Sequence, residues 1–393
     1  MPHEKNFAGI PPFADDVPCA PLLRLSLEKL LSEDEAEVQR FYSACKDLGF
    51  FYLDLRGTAI LADADQLFGI GEQLFELDID EKRRYDFSKQ NSYFGYKETG
   101  AAVVDREGNP DRNEFYNVSL PLLPIIVTQA LQQSRSSKVH EDSGYKIQIY
   151  RNVSKDDIFG ISEPLPAPDV LNKSRPIFRS FMANAHNIVT LILNLLNECL
   201  RLPPSTLANM HRIDGVSGDQ VRMIKAPPQP PDDRRTALGQ HTDFGSVTVL
   251  FNRVGGLQIL PPGKDAEWCY VRPLPGHAII NLGDAMVKFT NGLLRSNIHR
   301  VVSPPGPQAE TTRYSLVYFA RPEDDVILKR LEGSDCIPPL TLKDETGALV
   351  EEEEIKSKDW IIRRALGNRP ALHKEIDYEK NMGTEMISRR VET

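Results

Sequence analysis

Cysteine is scarce in this chain: five in 393 residues, at 19, 45, 199, 269 and 336, with no C-x-x-C pair. An odd, scattered set of thiols excludes a disulfide framework and fits reduced thiols inside a cell. Positive charge is also short, since 47 Lys and Arg against 56 Asp and Glu leave a net charge of -9 and a pI near 5.5. That balance argues against nucleic acid or an anionic membrane as partner. No apolar run is long enough to span a bilayer; the most apolar, 188–200, is broken by Asn194, Asn197 and Glu198. The first residues, Met1-Pro2-His3-Glu4-Lys5-Asn6, lack the basic-then-apolar pattern of a secretory signal, so the expected setting is cytoplasmic. There is no internal repeat, no G-x-x-x-x-G-K-[ST] loop and no dinucleotide fingerprint.

What is present is enough for a large core: a 40% hydrophobic content with both charge signs interspersed. Residues 1–21, rich in Pro and small side chains, read as an irregular arm. Ser32 with Glu35 three residues later predicts a capping box, Val38, Phe41, Cys45 and Leu48 share one helical face, and Gly49 supplies the stop. A strand over 50–55 follows, then helices over 65–77 and 80–85. The segment 93–115, with Gly95, Gly100, Gly108 and Pro110, reads as loop-bearing, as do 134–143 and 164–168. Ile177, Phe181, Ile188, Ile192, Leu195 and Cys199 recur at helical spacing and predict a long helix over 176–202. Seven short strand-like runs then come at 221–224, 246–251, 256–260, 268–271, 278–282, 298–302 and 313–319. Gly- and Pro-rich turns separate them, which signals an α+β protein whose core is a jelly-roll or double-stranded β-helix (cupin-like) flanked by helices, rather than βαβ units. The tail carries the acidic run 351–354, read as a solvated helix start, and a helix over 357–365.

The chemistry concentrates in Gln240-His241-Thr242-Asp243-Phe244-Gly245, read with Asn297-Ile298-His299-Arg300 and Arg313-Tyr314-Ser315. Side chains two apart on a strand share a face, so His241 and Asp243 both aim inward while Thr242 turns away. His299 from another strand completes a two-histidine, one-carboxylate face of the kind that holds non-haem Fe(II) and leaves the opposite positions open. One carboxylate neutralises half of a divalent charge, so the ion would attract an anionic chelator such as a 2-oxo acid. Arg313 can fork onto that chelator's far carboxylate, with the hydroxyl of Ser315 beside it. A second H-x-D copy, His140-Glu141-Asp142, sits in a serine-rich polar stretch with no β-rich run after it and is not read as a metal site.

With those residues the chain resembles the 2-oxoglutarate- and Fe(II)-dependent dioxygenases of the isopenicillin N synthase-like family. The likeness extends over Ala44-Cys45-Lys46-Asp47-Leu48-Gly49-Phe50-Phe51-Tyr52-Leu53, Gly95-Tyr96, Asp111-Arg112-Asn113-Glu114-Phe115-Tyr116, Gly255-Gly256-Leu257-Gln258-Ile259-Leu260, Trp268 through Pro273, Ile280-Asn281-Leu282-Gly283-Asp284 and Thr290-Asn291-Gly292. It implies an amino-terminal region over 1–120, a helical connector over 121–205, a catalytic β-helix over 206–320 and a helical extension over 321–393 that can lie at the barrel mouth. It further implies Fe(II), 2-oxoglutarate and O2 as cofactor and co-substrates, with succinate and CO2 released. The substrate would be a small, partly apolar metabolite, of the kind met in secondary metabolism, that is hydroxylated, desaturated or cyclised. Phe94, Tyr96, Phe115, Tyr116, Lys225 and Phe244 are candidates for the substrate wall. Where relatives carry Asn and Tyr before a Pro pair, this chain has Ile224-Lys225-Ala226 before Pro227-Pro228, so the tyrosine's bond to the oxo acid is absent and Lys225 is a candidate replacement. Two alternatives stay open on the sequence: an oxidase of the isopenicillin N synthase type that uses no 2-oxoglutarate, and a non-catalytic β-helix binding protein. The oligomeric state is not set by the sequence.

Overall fold

The computed structural model describes residues 7–90, 92–118, 165–339, 354–367, 369–370 and 383. Its strands, in chain order, are β1 (Arg24–Ser26), β2 (Phe50–Asp54), β3 (Gly95–Lys97), β4 (Glu114–Val118), β5 (Gln220–Ala226), β6 (Leu238–His241), β7 (Val247–Asn252), β8 (Leu257–Ile259), β9 (Cys269–Tyr270), β10 (His277–Leu282), β11 (His299–Val301) and β12 (Arg313–Ala320). They form an eight-stranded sheet in the order β1-β2-β10-β7-β12-β5-β4-β3 and a four-stranded sheet in the order β6-β11-β8-β9. All pairings between these strands are antiparallel except β1 with β2. This is the expected α+β architecture built on a double-stranded β-helix. The strands β1 to β4, from the amino-terminal part of the chain, extend the same sheet that carries β5, β7, β10 and β12.

Period-2 alternation divides the large sheet into two faces. Val247, Val249 and Phe251 of β7 and Leu316, Tyr318 and Ala320 of β12 join one core cluster, packed by the helices Ala59–Phe75 and Arg175–Cys199. The long helix does what its stripe predicts: Phe181, Val189, Ile192 and Leu196 are buried, and the Phe181 ring meets Phe251 edge-on at 5.7 Å. Each such side chain, fully buried, stabilises the fold by about 1.5–3 kcal/mol. Leu250 of β7, Val317 of β12, Ile279 of β10 and Phe50 and Tyr52 of β2 face the other way, where with Leu257 and Ile259 of β8 they form a second cluster between the sheets. The inward face therefore belongs to the barrel, and any polar group on it points into the interior.

Local signals were less exact at the helix ends. The helix Glu35–Asp47 is capped by Asp34, whose side chain accepts from the Glu37 backbone N–H at 2.9 Å; Ser32 instead ends a short helix, Leu27–Leu31, that the capping-box reading overlooked. Gly49 does turn the chain, with φ of 68°, and a side chain there would strike the Arg295 carbonyl. The predicted helix over 65–77 begins earlier, at Ala59. Segment 93–115, read as loop, contributes β3 and the start of β4, because its glycines and aromatics pair with a neighbouring strand that periodicity alone does not reveal. The tail helix is Ser357–Leu366. His140-Glu141-Asp142 and residues 351–353 lie outside the described residues.

Candidate active site

Strand geometry brings three donor side chains together. His241 ends β6 and His299 opens β11, and the antiparallel register sets these two residues directly opposite each other, with ring centroids 4.3 Å apart. Asp243, two residues beyond His241, brings Oδ1 to 4.0 Å from His241 Nε2 and 3.8 Å from His299 Nε2. One ligand atom from each of the three lies within 4.8 Å of the others, the only such His/Cys/Asp/Glu group among the described residues. Asp243 and His299 are buried, and His241 is partly so.

Each donor is oriented by a second partner. His241 Nδ1 lies 2.7 Å from the Gly239 carbonyl and His299 Nδ1 lies 3.1 Å from the Asn297 carbonyl. A carbonyl only accepts, so both Nδ1 atoms carry the proton and both Nε2 lone pairs face the shared space. Asp243 Oδ2 accepts from Thr248 Oγ1 at 2.6 Å and Asn281 Nδ2 at 2.7 Å, which leaves Oδ1 turned to the imidazoles. Burial first, and then the neighbouring His299, push His241 below its ordinary value, which favours the neutral ring. Burial alone would raise Asp243, but the two histidines and the Thr248 and Asn281 bonds outweigh it and hold the carboxyl below its ordinary value. Two imidazoles and one carboxylate, all aimed at one point with their other atoms occupied, fit Fe(II).

The loop bearing Asp243 is clamped from outside. Asp284 and Ala285 open the helix Asp284–Phe289, which local propensity had not indicated, and their backbone N–H groups donate to the Asp243 and Gly245 carbonyls at 2.7 and 3.1 Å. Gly245 and Gly283 are required by close approach: a Cβ on Gly245 would come within 2.6 Å of the Ala320 carbonyl, and one on Gly283 would strike the Gly245 carbonyl. From the tail, Trp360 Nε1 donates to the Phe244 carbonyl at 3.1 Å, while Arg364 pairs with Asp284 at 2.6 Å and donates to the Thr242 carbonyl at 3.2 Å.

Arg313 and Ser315 lie on the inward face of β12, and both are buried. Arg313 Nε donates to the Gly255 carbonyl at 2.8 Å and Nη1 to Ser315 Oγ at 2.6 Å. No carboxylate pairs with it among the described residues. Burial lowers its pKa to about 10, which still leaves it charged at neutral pH. An unpaired interior cation asks for an anion.

A family model described as the 2OG-Fe(II) oxygenase superfamily matches residues 217–322, and one described as the N-terminal region of non-haem dioxygenases in morphine synthesis matches 20–137. A 2-oxoglutarate-dependent dioxygenase of Aspergillus fumigatus is 33% identical over 354 residues, covering 84% of this chain and 82% of that protein. The chain belongs to the 2-oxoglutarate- and Fe(II)-dependent oxygenase superfamily. A second 2-oxoglutarate-dependent dioxygenase, frbH of a Dothideomycetidae species, is 30% identical to this oxygenase over 320 residues, 81% of this chain and 87% of its own. A full-length Neurospora crassa protein, solved in complex with alpha-KG, shares the fold with a TM-score of 0.64 at 19% identity, covering 92% of this chain and 98% of its own. This oxygenase is thus an oxidoreductase that uses Fe(II) and 2-oxoglutarate. No helix of the described residues is long and apolar enough to cross a membrane.

The candidate substrate wall divides sharply. Phe115 lies on the inward face of β4, beside Arg222 of β5, with 4.3 Å between the guanidinium and the ring centroid. Phe244 follows Asp243 directly but packs, like Phe94, against the helix-side cluster, its ring centroid 5.3 Å from the Arg321 guanidinium. Three others are corrected by strand alternation. Tyr96 and Tyr116 are buried in the helix-side cluster, the Tyr96 hydroxyl donating to Glu114 at 2.7 Å, and Lys225 stands 3.5 Å from the same Glu114. Lys225 therefore faces away from the oxo-acid cavity and does not replace the missing tyrosine. Phe94 packs on Tyr93, ring centroids 4.6 Å apart, against the same helix-side cluster. Sequence reasoning did not single out Thr248, Asn281 or Arg222. The inward alternation of β5, β7 and β10 was the available signal for all three.

Proposed function

We propose that His241, Asp243 and His299 hold the Fe(II) of this oxygenase and that Arg313, with Ser315, grips the distal carboxylate of 2-oxoglutarate. The observation that carries this is one interior that contains both an oriented two-imidazole, one-carboxylate face and a buried guanidinium with no carboxylate partner among the described residues. Fe(II) held by these residues would be chelated by the oxo acid and would supply O2 activation, the chemistry that couples conversion of 2-oxoglutarate to succinate and CO2 with oxidation of a substrate C–H group. The protein's side chains supply the rest. Asp243 leaves the site with net positive charge that draws in the oxo acid, and Arg313 fixes the far end in a bidentate grip. Thr248 and Asn281 keep the Asp243 carboxylate from rotating.

The substrate is a small, partly apolar molecule. Phe115 and Phe319 give the inner wall aromatic surface, and Leu250, Val317 and Ile279 keep water from the floor. The two alternatives open on the sequence are weaker here: the relatives at 30–33% identity carry the name 2-oxoglutarate-dependent dioxygenase, and every donor of the site is intact. The test is anaerobic loading with Fe(II) and 2-oxoglutarate, admission of O2, and measurement of succinate with and without candidate substrates. Absence of Fe(II) binding, or of any succinate, would overturn the proposal.

A further inference from the structure

The interior holds another guanidinium, that of Arg222, with no carboxylate partner among the described residues. Arg222 lies on the inward face of β5, opposite Asn117 of β4 on one side and Val317 of β12 on the other. Its guanidinium lies over the rings of Phe115, at 4.3 Å, and Phe319, at 4.9 Å. Its Nε edge is taken by Asn117 Oδ1 at 2.7 Å, an oxygen that also accepts from Gln220. No carboxylate among the described residues pairs with it, and the buried Asp111 is taken by Lys97. With two rings beside it and Nε fixed by Asn117, the Nη groups are what remains to bind a ligand. A guanidinium held in that way is a fork aimed along one plane, the geometry that suits a carboxylate.

Its place in the barrel connects it to the chemistry. Phe319, which stacks on it, is the cross-strand partner of Thr248, and Thr248 holds Asp243. Along β12, Val317 stands four residues from Arg313, about 13 Å at strand rise, so the two cations sit at different depths of one wall. The charges can be counted. The divalent ion and Arg313 bring three positive charges; Asp243 and the two carboxylates of 2-oxoglutarate bring three negative ones. Arg222 stands outside that count, as does Arg321, a buried guanidinium whose charge acts on it. Burial, then Arg321, lowers the pKa of Arg222 to about 9 against an upward pull from Asp243, so it stays protonated at neutral pH.

We infer that Arg222 recognises a carboxylate on the substrate, and that this oxygenase acts on small monocarboxylic acids whose carbon skeleton lies against Phe115 and Phe319. The inference rests on the oxygenase reading above. It assigns the specificity of the site to a residue distinct from the oxo-acid anchor.

The test uses the full chain loaded anaerobically with 2-oxoglutarate and with Zn(II) in place of Fe(II), so that binding is read without turnover. A panel of aliphatic and aromatic monocarboxylic acids, each paired with its methyl ester, is screened by calorimetry against the wild type, Arg222→Gln and Arg222→Lys. The expected result is wild-type binding of acids about tenfold or more tighter than of their esters, a preference that vanishes in Arg222→Gln and is partly kept in Arg222→Lys. The 2-oxoglutarate affinity should move less than about twofold in both variants. Melting temperatures identify any variant that fails to fold, and if Arg222→Gln fails, the charge-retaining Lys variant with its reduced preference decides. A wild type that binds no acid, or binds acids and esters alike, overturns the inference, as does a folded Arg222→Gln that keeps the preference. Loss of 2-oxoglutarate affinity in Arg222→Gln overturns it differently, by making this arginine a co-substrate anchor. Failure of the wild type to bind 2-oxoglutarate at all would instead sink the oxygenase reading.

Discussion

At the scale of single residues, each donor of the proposed iron site has one atom committed elsewhere. His241 and His299 spend Nδ1 on backbone carbonyls, and Asp243 spends Oδ2 on Thr248 and Asn281, so the atoms left over converge. Removing a donor and removing its support should therefore differ in degree. His241→Ala or Asp243→Ala should abolish Fe(II) binding in an anaerobic titration while the circular dichroism spectrum stays native; Thr248→Val should weaken it about 10- to 100-fold. Arg313 makes a different kind of contribution, since it touches none of the three donors. Arg313→Ala should raise the KM for 2-oxoglutarate about 30-fold or more, the loss expected when a carboxylate forfeits a charged hydrogen-bonding partner. An unchanged KM would remove Arg313 from the role proposed for it.

Among the elements, strands were easier to read than helix boundaries, and the reason is geometric. Alternation repeats every two residues and announces itself in a run as short as Val247-Thr248-Val249, whereas a helix start depends on one side chain reaching one N–H. Ser32 and Asp34 both have the chemistry of a cap, and only the backbone trajectory through Leu27–Leu31 assigns the bond to Asp34. Asp34→Ala should consequently lower stability by about 1 kcal/mol in denaturant unfolding; the same change at Ser32 should have a smaller effect. The short helix Asp284–Phe289 escaped notice because its value is positional: two of its N–H groups hold the carbonyls of the loop that carries Asp243.

For the molecule as a whole, the tail and the barrel are one structure. Arg364 and Asp284 form a fully buried ion pair, and Trp360 and Arg364 both bond the backbone at 242–244. Arg364→Ala leaves a buried carboxylate short of its cation and should destabilise the fold by about 3–5 kcal/mol, seen as a lower Tm, with weaker Fe(II) binding as the loop loosens. A pH effect belongs to the same junction. Asp324, whose carbonyl receives the Lys358 N–H, has its pKa raised to about 6, chiefly by burial. A carboxyl that is easier to protonate folded than unfolded weakens the fold above the folded value and ceases to do so as pH falls below the unfolded one. Asp324→Asn should raise the Tm at pH 7 to 8 and make progressively less difference between about pH 6 and pH 4.

The amino-acid order by itself determined the class of fold, the inward pairing of His241 with Asp243, and the presence of a cation two residues before a serine on a late strand. These follow from local periodicity, which needs no knowledge of what lies across the sheet. Closure of the two sheets decided the rest: that His299 sits opposite His241, that Thr248 and Asn281 hold one carboxylate oxygen, that Lys225, Tyr96 and Tyr116 face away from the cavity, and that Arg222 lies on the inward face with no carboxylate partner among the described residues. Those are consequences of register between strands far apart in the chain, and a shift of one residue would have sent each of these side chains to the opposite face.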